Sequence, residues 1–454
     1  MFLDIRVTAH QPLALGVRPA GTAPVPTRYH VPGSVLRGAL AAAWIRDHGL
    51  PNRVPLRLRQ EFIALFESET LYGPLFAAGS KIVPLSVWHC KYGRCAGVHP
   101  DMAFDTAPSS VCGTCGGPLA AGRGEVEFFT APLGGPVLQR THLQIDDERQ
   151  VASESALFTR RALAHRDHNG DEQRFHGRIT ASDDLPPAAA DWLSRRRNLR
   201  LGGRRGTNGG VTYTTTTASP PLPGTGKRVA LRLIAPAILT DTSGLPLDPA
   251  DRDRLGEALD AELAPVLGTR LTRVEKTWTR RERVGGWHAA SNLPKPVELA
   301  VSAGTVLLLA FEQPPRPEAL AALAGRGIGL RRNEGFGALT TATTAWTPPS
   351  GSPPAQEPAG TQTADPADSY ARMLYHTGHS AWFIDQLRPY AKERVDGNPP
   401  HDTLLERPRL RDLTGELRQD IQNLLLRTTP DTLDRVLARL TALHRLNSDE
   451  EQAS

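Results

Sequence analysis

Four cysteines form the residue cluster with the clearest chemical meaning. They are the only cysteines of the 454-residue chain: Cys90, Cys95, Cys112 and Cys115. Their spacing is C-x4-C-x16-C-x2-C, and glycines flank the ligands in "YGRCAG" and "CGTCGG". Glycine permits tight turns, and four converging thiolates hold zinc in a closed tetrahedral site. The pattern predicts one structural Zn²⁺ ion.

Two other interpretations of these cysteines stay open. They could be four unrelated residues, although their clustering argues against this, and His89 or His99 could replace one ligand. A closed four-ligand site leaves no position for water, so we expect it to stabilise an insertion that lacks a core of its own rather than to catalyse a reaction.

A second chemically suggestive stretch is "GRGIGLRRNEGFGAL", residues 325–339. Glycines accept positive φ and leave the backbone bare, so successive amides can surround a phosphate, and arginine side chains can add bidentate contacts. Phe336 could stack on a base or pack beneath the loop. The residues of this loop predicted to bind a phosphate-bearing ligand are Gly327, Gly329, Gly335 and Gly337 with Arg331, Arg332 and Phe336. A glycine-rich corner with solvated arginines is the alternative.

Further basic residues lie at two other points of the sequence. Arg37 and Gly38 stand near the start of a predicted helix at residues 34–48, where amides and the helix dipole favour a phosphate. Arg204 and Arg205 in "LGGRRGTNGG" repeat the pattern of the 325–339 loop. Both pairs are predicted to contact phosphates, although Arg37 could equally be an ordinary surface residue.

Length and composition limit the classes of protein. A chain of this length forms two or three domains, and 39% hydrophobic with 22% charged residues is typical of a globular protein. The net charge of +5 permits a polyanionic partner. The longest apolar run, "TVLLLAF", is too short to cross a bilayer, and no signal sequence is apparent. We expect a cytoplasmic protein with no membrane contact.

The order of the predicted elements suggests the fold. Residues 226–346 contain strand, helix, strand, strand, helix and strand in turn, and residues 1–225 begin in the same way around an insertion at about 85–120. This order is typical of a ferredoxin-like unit. We predict an α+β protein with two tandem ferredoxin-like (RRM-like) domains, a flexible linker at 347–369 and a helical tail at 370–454.

Several stretches resemble the RAMP superfamily of CRISPR RNA-binding proteins. They are "VPGSVLRGAL", "LQRTHLQIDDERQVASESALF", "LRLGGRRGTNGG", "VGGWHAASNLPKP" and "GIGLRRNEGFG", and the resemblance covers roughly residues 1–346. The cysteine-bearing insertion after "LYGPLF" and the "LPKP" motif look like the large subunit of type III-D interference complexes. That resemblance implies a non-catalytic scaffold that caps the 5′ handle of the crRNA, with Arg140 on an RNA-facing strand.

The resemblance also implies partners and one enzymatic alternative. The partners would be crRNA, the backbone RAMP subunits, the large subunit and a small helical subunit, with target RNA contacted indirectly; the tail would pack on the small subunit. Some RAMP proteins are endoribonucleases. His30 or His142 could then process precursor RNA, or Asp146 and Asp147 could cleave target RNA. A zinc-stapled module that binds acidic proteins is the third interpretation.

The zinc prediction has a direct test. Elemental analysis of protein purified without chelator should return about one zinc ion per chain, and Cys112→Ser should lose both the ion and solubility, because metal binding contributes to folding. Metal-free wild-type protein that stays folded would contradict the prediction.

Overall fold

The structure is a computed structural model of the chain. It describes residues 1–16, 27–91, 100–105, 111–113, 116–129, 137–145, 152–167, 170–182, 184–203, 206–288, 293–349, 366–377, 379–411 and 415–452.

The described residues form strands and helices throughout the chain. The strands are β1 (Phe2–Ala9), β2 (Leu71–Tyr72), β3 (Phe76–Ala77), β4 (Ser80–Ile82), β5 (His89–Cys90), β6 (Leu119–Ala120), β7 (Val126–Phe128), β8 (Val137–Ile145), β9 (Ala152–Leu163), β10 (Arg174–Thr180), β11 (Arg197–Arg200), β12 (Gly210–Thr217), β13 (Arg228–Leu233), β14 (Leu271–Trp278), β15 (Arg281–Val284), β16 (Trp287–His288), β17 (Leu293–Pro294), β18 (Glu298–Val301), β19 (Val306–Phe311) and β20 (Leu339–Ala342). The helices are α1 (Gly33–His48), α2 (Leu56–Phe66), α3 (Pro187–Ser194), α4 (Arg252–Leu267), α5 (Pro317–Arg326), α6 (Pro366–His376), α7 (Ser380–Val395), α8 (Gly415–Arg427) and α9 (Pro430–Gln452).

The first sheet has strand order β11-β12-β1-β10-β2, and β3 also pairs with β10. Strand β1 lies at its centre and pairs antiparallel with β10 and β12. Side chains alternate between the two faces of a strand, and in β1 the residues Leu3, Ile5, Val7 and Ala9 are buried in a core with helices α1 and α3. The other face of β1 therefore carries its polar residues.

The second sheet has strand order β14-β19-β13-β20, with antiparallel pairing throughout. Its elements follow one another as β13, α4, β14, β19, α5 and β20, which is the order that the sequence predicts. Helix α4 buries a stripe of leucines at four-residue spacing: Leu255, Leu259, Leu263 and Leu267. Asp251 caps its start by accepting a hydrogen bond from the Arg254 amide, and left-handed Gly268 ends it.

The two sheets have corresponding strand orders. In the first, β12, β1, β10 and β2 are neighbours in that order, with α1 between β1 and β2 along the chain and α3 between β10 and β12. In the second, β20, β13, β19 and β14 are neighbours in the corresponding order. The prediction of a mixed α/β protein is confirmed.

The chain divides into two compact units, Met1–Ser86 with Arg123–Gly351 and Val87–Gly122 with Ser352–Ser454. The second unit joins the insertion to the tail. Cys90, Cys112 and Leu119 pack in one apolar cluster with buried residues of the tail helices, among them Phe383 and Leu424. The insertion thus shares a core with the tail. The tail is helical, as predicted, but its first helix begins at Pro366 rather than at residue 370.

In the first unit, the loop after α5 lies against the start of α1 through bare backbone. A Cβ atom built on Gly33 would lie 1.8 Å from the carbonyl oxygen of Tyr72 and 3.0 Å from the Cα of Gly335. A Cβ on Gly335 would lie 2.6 Å from the same carbonyl oxygen, and its φ is +87°. Since real Cβ atoms do not approach backbone so closely, only glycine fits at both positions.

Other glycines of this loop meet backbone in the same way. A Cβ on Gly337 would lie 1.8 Å from the Ile328 oxygen, and one on Gly329 would lie 2.4 Å from the Ile238 oxygen. The side chain of Asn333 in the loop also donates a 3.4 Å hydrogen bond to the Phe66 carbonyl at the end of α2. The glycines therefore serve close packing: Gly335 against α1 and β2, Gly337 within the loop, and Gly329 against Ile238.

This contact generates a stability prediction. Gly335→Ala should lower the free energy of unfolding by about 3 kcal/mol or more, because the new Cβ strains a left-handed residue and collides with backbone. Gly38→Ala on α1 is the matched control, since a Cβ there meets no atom within 4 Å, and alanine favours the helix.

Denaturant titration of both variants measures the difference. Equal stability of Gly335→Ala and wild type would show that the loop does not depend on this contact.

Candidate RNA-binding surface

We call residues 327–338, between α5 and β20, the glycine loop. Arg331 holds this loop together through the contacts of its side chain. It is the one non-glycine residue with positive φ (56°) among the described residues. Its guanidinium donates to Glu298, to Glu334 at 2.9 Å and to the Gly285 carbonyl at 3.4 Å. The guanidinium also lies 4.8 Å from the centre of the Phe336 ring, close enough for a cation–π contact. Arg331 is thus fully engaged by its own protein.

Glu334 of this cluster stays ionised. Burial raises the pKa of Glu334, but hydrogen bonds from Arg331 and Lys295 outweigh burial and hold the pKa at about 2. Lys295 Nζ lies 2.8 Å from Glu334, and Arg332 pairs with Glu262 at 3.4 Å. The side chains of Arg331 and Arg332 are only 16% and 21% exposed. Both arginines are therefore partly buried, and carboxylates neutralise them: Glu298 and Glu334 for Arg331, and Glu262 for Arg332.

The loop amides are engaged as well. Gly327 donates to the Leu323 carbonyl, Gly335 to the Arg332 carbonyl and Gly337 to the Pro236 carbonyl, at 2.7 to 2.8 Å. Gly329 donates to Glu262 Oε1 at 2.9 Å. The positive φ that the sequence predicts is present at all four glycines. These four amides do not form an open phosphate-binding site, because they already have acceptors within the protein.

Arg37 also has an internal role. Its Nε donates to the Phe66 carbonyl at 2.9 Å and its Nη2 lies 2.8 Å from Glu67, so it ties α1 to the end of α2. Only 16% of the side chain is exposed. Gly38 lies one residue further along α1, next to open space. The helix start is Gly33, with Pro32 as its cap. Arg37 is therefore not presented at the helix N-terminus.

The remaining predicted RNA contacts are Arg140, Arg204 and Arg205. Arg140 is exposed on β8, opposite Arg160 in the antiparallel ribbon formed by β8 and β9. Arg204 and Arg205 lie outside the described residues. The structure thus does not gather the predicted residues onto one exposed surface, and their RNA contacts stay predictions.

The predicted zinc ligands are described in part. Cys90 on β5 pairs with Leu119 on β6. The Cys112 amide donates to the Gly117 carbonyl and the Gly116 amide donates to the Cys112 carbonyl, which closes a tight turn beside this ribbon. Both thiol groups are buried. Cys95 and Cys115 lie outside the described residues. Cys90 and Cys112 lie in the same apolar cluster, and the metal stays a prediction.

An exposed basic surface exists on the first sheet instead. Arg6 on β1 lies opposite His176 on β10 and Thr214 on β12. Two residues along, Thr8 lies opposite Arg174 and Thr212. Residues directly opposite in antiparallel strands share a face, so these six side chains line the face turned away from the core. We call this set the sheet face.

The sheet face concentrates uncompensated positive charge. Arg6, Arg174 and His176 are exposed, and neither arginine pairs with a carboxylate among the described residues. Burial, followed by the charges of Arg6 and Arg174, lowers the pKa of His176. Asp4, the nearest acid on β1, is neutralised by Arg178 at 2.9 Å. Two arginines next to each other without an acid attract an anion.

Polar groups border the sheet face at one end. His10 bonds through Nδ1 to Glu172 at 2.9 Å and through Nε2 to Thr212 at 2.8 Å. Thr212 in turn donates to Asn198 at 3.2 Å. These groups can donate to and accept from base edges or ribose hydroxyls.

At the other end the sheet face continues into a groove of about 610 Å³. Its lining includes His176 and Arg178 of the first sheet, Ala321 of α5 and Thr341 of β20. The basic surface therefore adjoins a groove within the first unit.

Sequence reasoning missed this surface, although a signal was present. In "LDIRVT" the residues Asp4, Arg6 and Thr8 alternate with apolar residues, and in "RFHGRIT" Arg174, His176 and Arg178 do the same. Alternation predicts one polar face per strand. That the two strands are neighbours could not be read from residues 170 apart.

Comparison with known proteins gives one family match. Residues 139–344 match the family model Cas_Cmr3, a CRISPR-associated protein. This is less than half of the chain, and the model names Cmr3 rather than a type III-D subunit, so the predicted subtype stays open. The sequence is not similar enough to any curated protein to count as a match.

Three solved structures show weak similarity. One is type III-B Cmr-beta bound to cognate target RNA (12% identity, 67% of this chain and 86% of that chain, TM-score 0.37). Another is a RAMP protein binding different RNA substrates (9%, 75% and 99%, TM-score 0.32). The third concerns a Cas6-related gene from Pyrococcus furiosus (10%, 76% and 98%, TM-score 0.31). TM-scores this low support no conclusion by themselves.

No helix among the described residues is long and apolar enough to span a membrane. The family match spans the region that holds "LQRTHLQIDDERQVASESALF" and "GIGLRRNEGFG", two of the stretches that carry the predicted resemblance. That match confirms that this chain resembles the CRISPR-associated RAMP proteins.

Proposed function

We propose that this protein is a non-catalytic crRNA-binding scaffold subunit of a type III CRISPR effector ribonucleoprotein, in which it caps the 5′ handle of the guide in antiviral defence. The observation that carries the proposal is the sheet face, where Arg6 and Arg174 stand exposed without acidic partners. The match to Cas_Cmr3 supports CRISPR RNA as the anion.

The chemistry of the sheet face suits single-stranded RNA. Arginine forks bind phosphates, and the threonine hydroxyls of β1 and β12 can bond to phosphate or ribose oxygens. The two sheets, each with the strand order of a ferredoxin-like unit, would make this face equivalent to the surface on which RRM domains bind RNA. Here threonine and histidine stand where stacking aromatics would be, so phosphate and ribose contacts dominate.

The wider assembly follows from the same proposal. Other effector subunits, including backbone RAMP subunits, the large subunit and a small helical subunit, would bind this protein, and the cytoplasm would be its location. In the insertion–tail unit, a structural zinc ion bound by Cys90, Cys112 and the two further cysteines would fix the insertion. The tail helices would present their exposed side to the small subunit.

The sheet face can be tested by substitution. Arg6→Ala combined with Arg174→Ala should weaken binding of a 5′-handle RNA about tenfold, because two phosphate contacts are lost. It should also lower the slope of log K against log salt by about 1.4, since each contact to a single strand releases about 0.7 counterion. Fluorescence anisotropy at several salt concentrations measures both quantities.

The matched control is Arg53→Ala combined with Arg59→Ala, which removes the same charge from exposed positions at and beside α2. Wild-type affinity and slope in the sheet-face variant would contradict the proposal. An equal loss in the control would show only a general effect of charge.

One observation favours the endoribonuclease as the second candidate function. His10 is held between Glu172 and Thr212 at the edge of the sheet face, and a carboxylate-oriented histidine can act as a general base. His30 is less suited to act as a general base. Burial, together with the charge of Arg28, lowers the pKa of His30 to about 3, and its ring centre lies 5.5 Å from that of Phe76. The side chains of His142, Asp146 and Asp147 lie outside the described part of the chain.

The scaffold proposal predicts no cleavage. Repeat RNA incubated with purified protein, with or without divalent metal, should stay intact on a denaturing gel. Cleavage by wild type that His10→Ala abolishes, while RNA binding persists, would instead establish the enzyme.

A further inference from the structure

A β-ribbon extends from the second half of the first unit. Strands β15 and β18 pair from Arg281↔Val301 to Val284↔Glu298. The ribbon continues through a 3.0 Å hydrogen bond from the Lys295 amide to the Gly286 carbonyl and through the pair Trp287↔Pro294. We call residues 281–288 and 293–301 the Trp287 ribbon; residues 289–292 between them are not described.

The ribbon exposes an unusual amount of apolar surface. Trp287 is 59% exposed, and its neighbours Leu293, Val297 and Leu299 are 60%, 58% and 50% exposed. The Trp287 ring makes no ring contact among the described residues. Exposed apolar clusters of this kind indicate a surface that another molecule covers.

The base of the ribbon is rigidly mounted. Val284 and Ala300 pack with Ile238 in a small apolar cluster beneath Phe336. Arg331 bonds to Glu298 of the ribbon and to the Gly285 carbonyl, and Lys295 pairs with Glu334. The glycine loop thereby fixes the position of Trp287, which a binding residue requires.

The charges around the ribbon favour an anionic molecule over a cationic or neutral one. Glu298 and Glu334 are neutralised by Arg331 and Lys295. Arg283 is exposed beside Leu299, its cross-strand partner, and has no acidic partner in the described part of the ribbon. An exposed indole on the same ribbon as an arginine without an acidic partner is a combination that binds single-stranded nucleic acid.

We propose that Trp287 is a base-stacking residue for the RNA, and that an unpaired base lies on its exposed indole face. This inference rests on the proposed RNA-binding function and adds a contact on the second half of the unit. It also gives the glycine loop a role in RNA binding through the ribbon that it holds, without direct phosphate contact.

Three variants test the stacking. Trp287→Leu keeps an apolar side chain without a π face and should weaken binding of a single-stranded 5′-handle RNA about 5- to 100-fold, the effect of losing one stacked base. Trp287→Phe keeps a ring and should stay within about threefold of wild type. The salt slope should not change in either, because no phosphate contact is lost. Leu245→Ala, at another exposed apolar position, is the control.

The possible outcomes separate this inference from the proposed function. If Trp287→Leu binds RNA as wild type does while the Arg6 and Arg174 double variant loses affinity, the stacking is refuted and the scaffold function stands. If Trp287→Leu and Trp287→Phe lose affinity equally, stacking is also refuted, since a ring should substitute for a ring. Normal RNA binding with a loss of subunit assembly would assign the ribbon to a protein partner. Failure of wild type to bind RNA would refute both proposals.

Discussion

The contact of Gly33, Tyr72 and Gly335 is the constraint on which the rest of the first unit depends. Three stretches of backbone meet where no Cβ atom fits, so α1, β2 and the glycine loop can pack together in only one way. This fixes the loop, and the loop fixes Arg331 in its left-handed conformation. Arg331 then holds Glu298 and the Gly285 carbonyl of the Trp287 ribbon. A contact without any side chain thus determines the position of an exposed tryptophan.

The same strands supply both stability and the proposed binding surface. Alternation along β1 places Leu3, Ile5 and Val7 in the core and Arg6 and Thr8 on the opposite face. An antiparallel sheet can leave one face open to solvent, so the basic residues do not need a separate element. If RNA lies on the sheet face and over Trp287, it contacts both halves of the first unit. The backbone contact of Gly33, Tyr72 and Gly335 then keeps these two RNA contacts at a constant separation.

The sequence predicts those features that depend on local periodicity and backbone conformation. The β-α-β-β-α-β order of residues 228–342, the leucine stripe of α4 and the positive φ of the loop glycines can all be read from neighbouring residues. Partners that are distant in the sequence cannot be read in this way. The acceptors of the Gly329 and Gly337 amides, the pairing of Arg332 with Glu262 and the bonding of Arg37 to Phe66 all join residues at least 29 positions apart. Arginines that look free in the sequence are therefore internal in the structure. The shared core of the insertion and the tail could not be predicted for the same reason, because its residues are far apart in the sequence.

The RNA that accompanies the purified protein tests the central claim most directly. Protein expressed with its native CRISPR array should carry nucleic acid, visible as excess absorbance at 260 nm, and sequencing of that RNA should return one repeat-derived 5′ sequence followed by variable guides. A preparation free of nucleic acid, or one carrying RNA without a common 5′ end, would contradict a subunit that caps the crRNA handle.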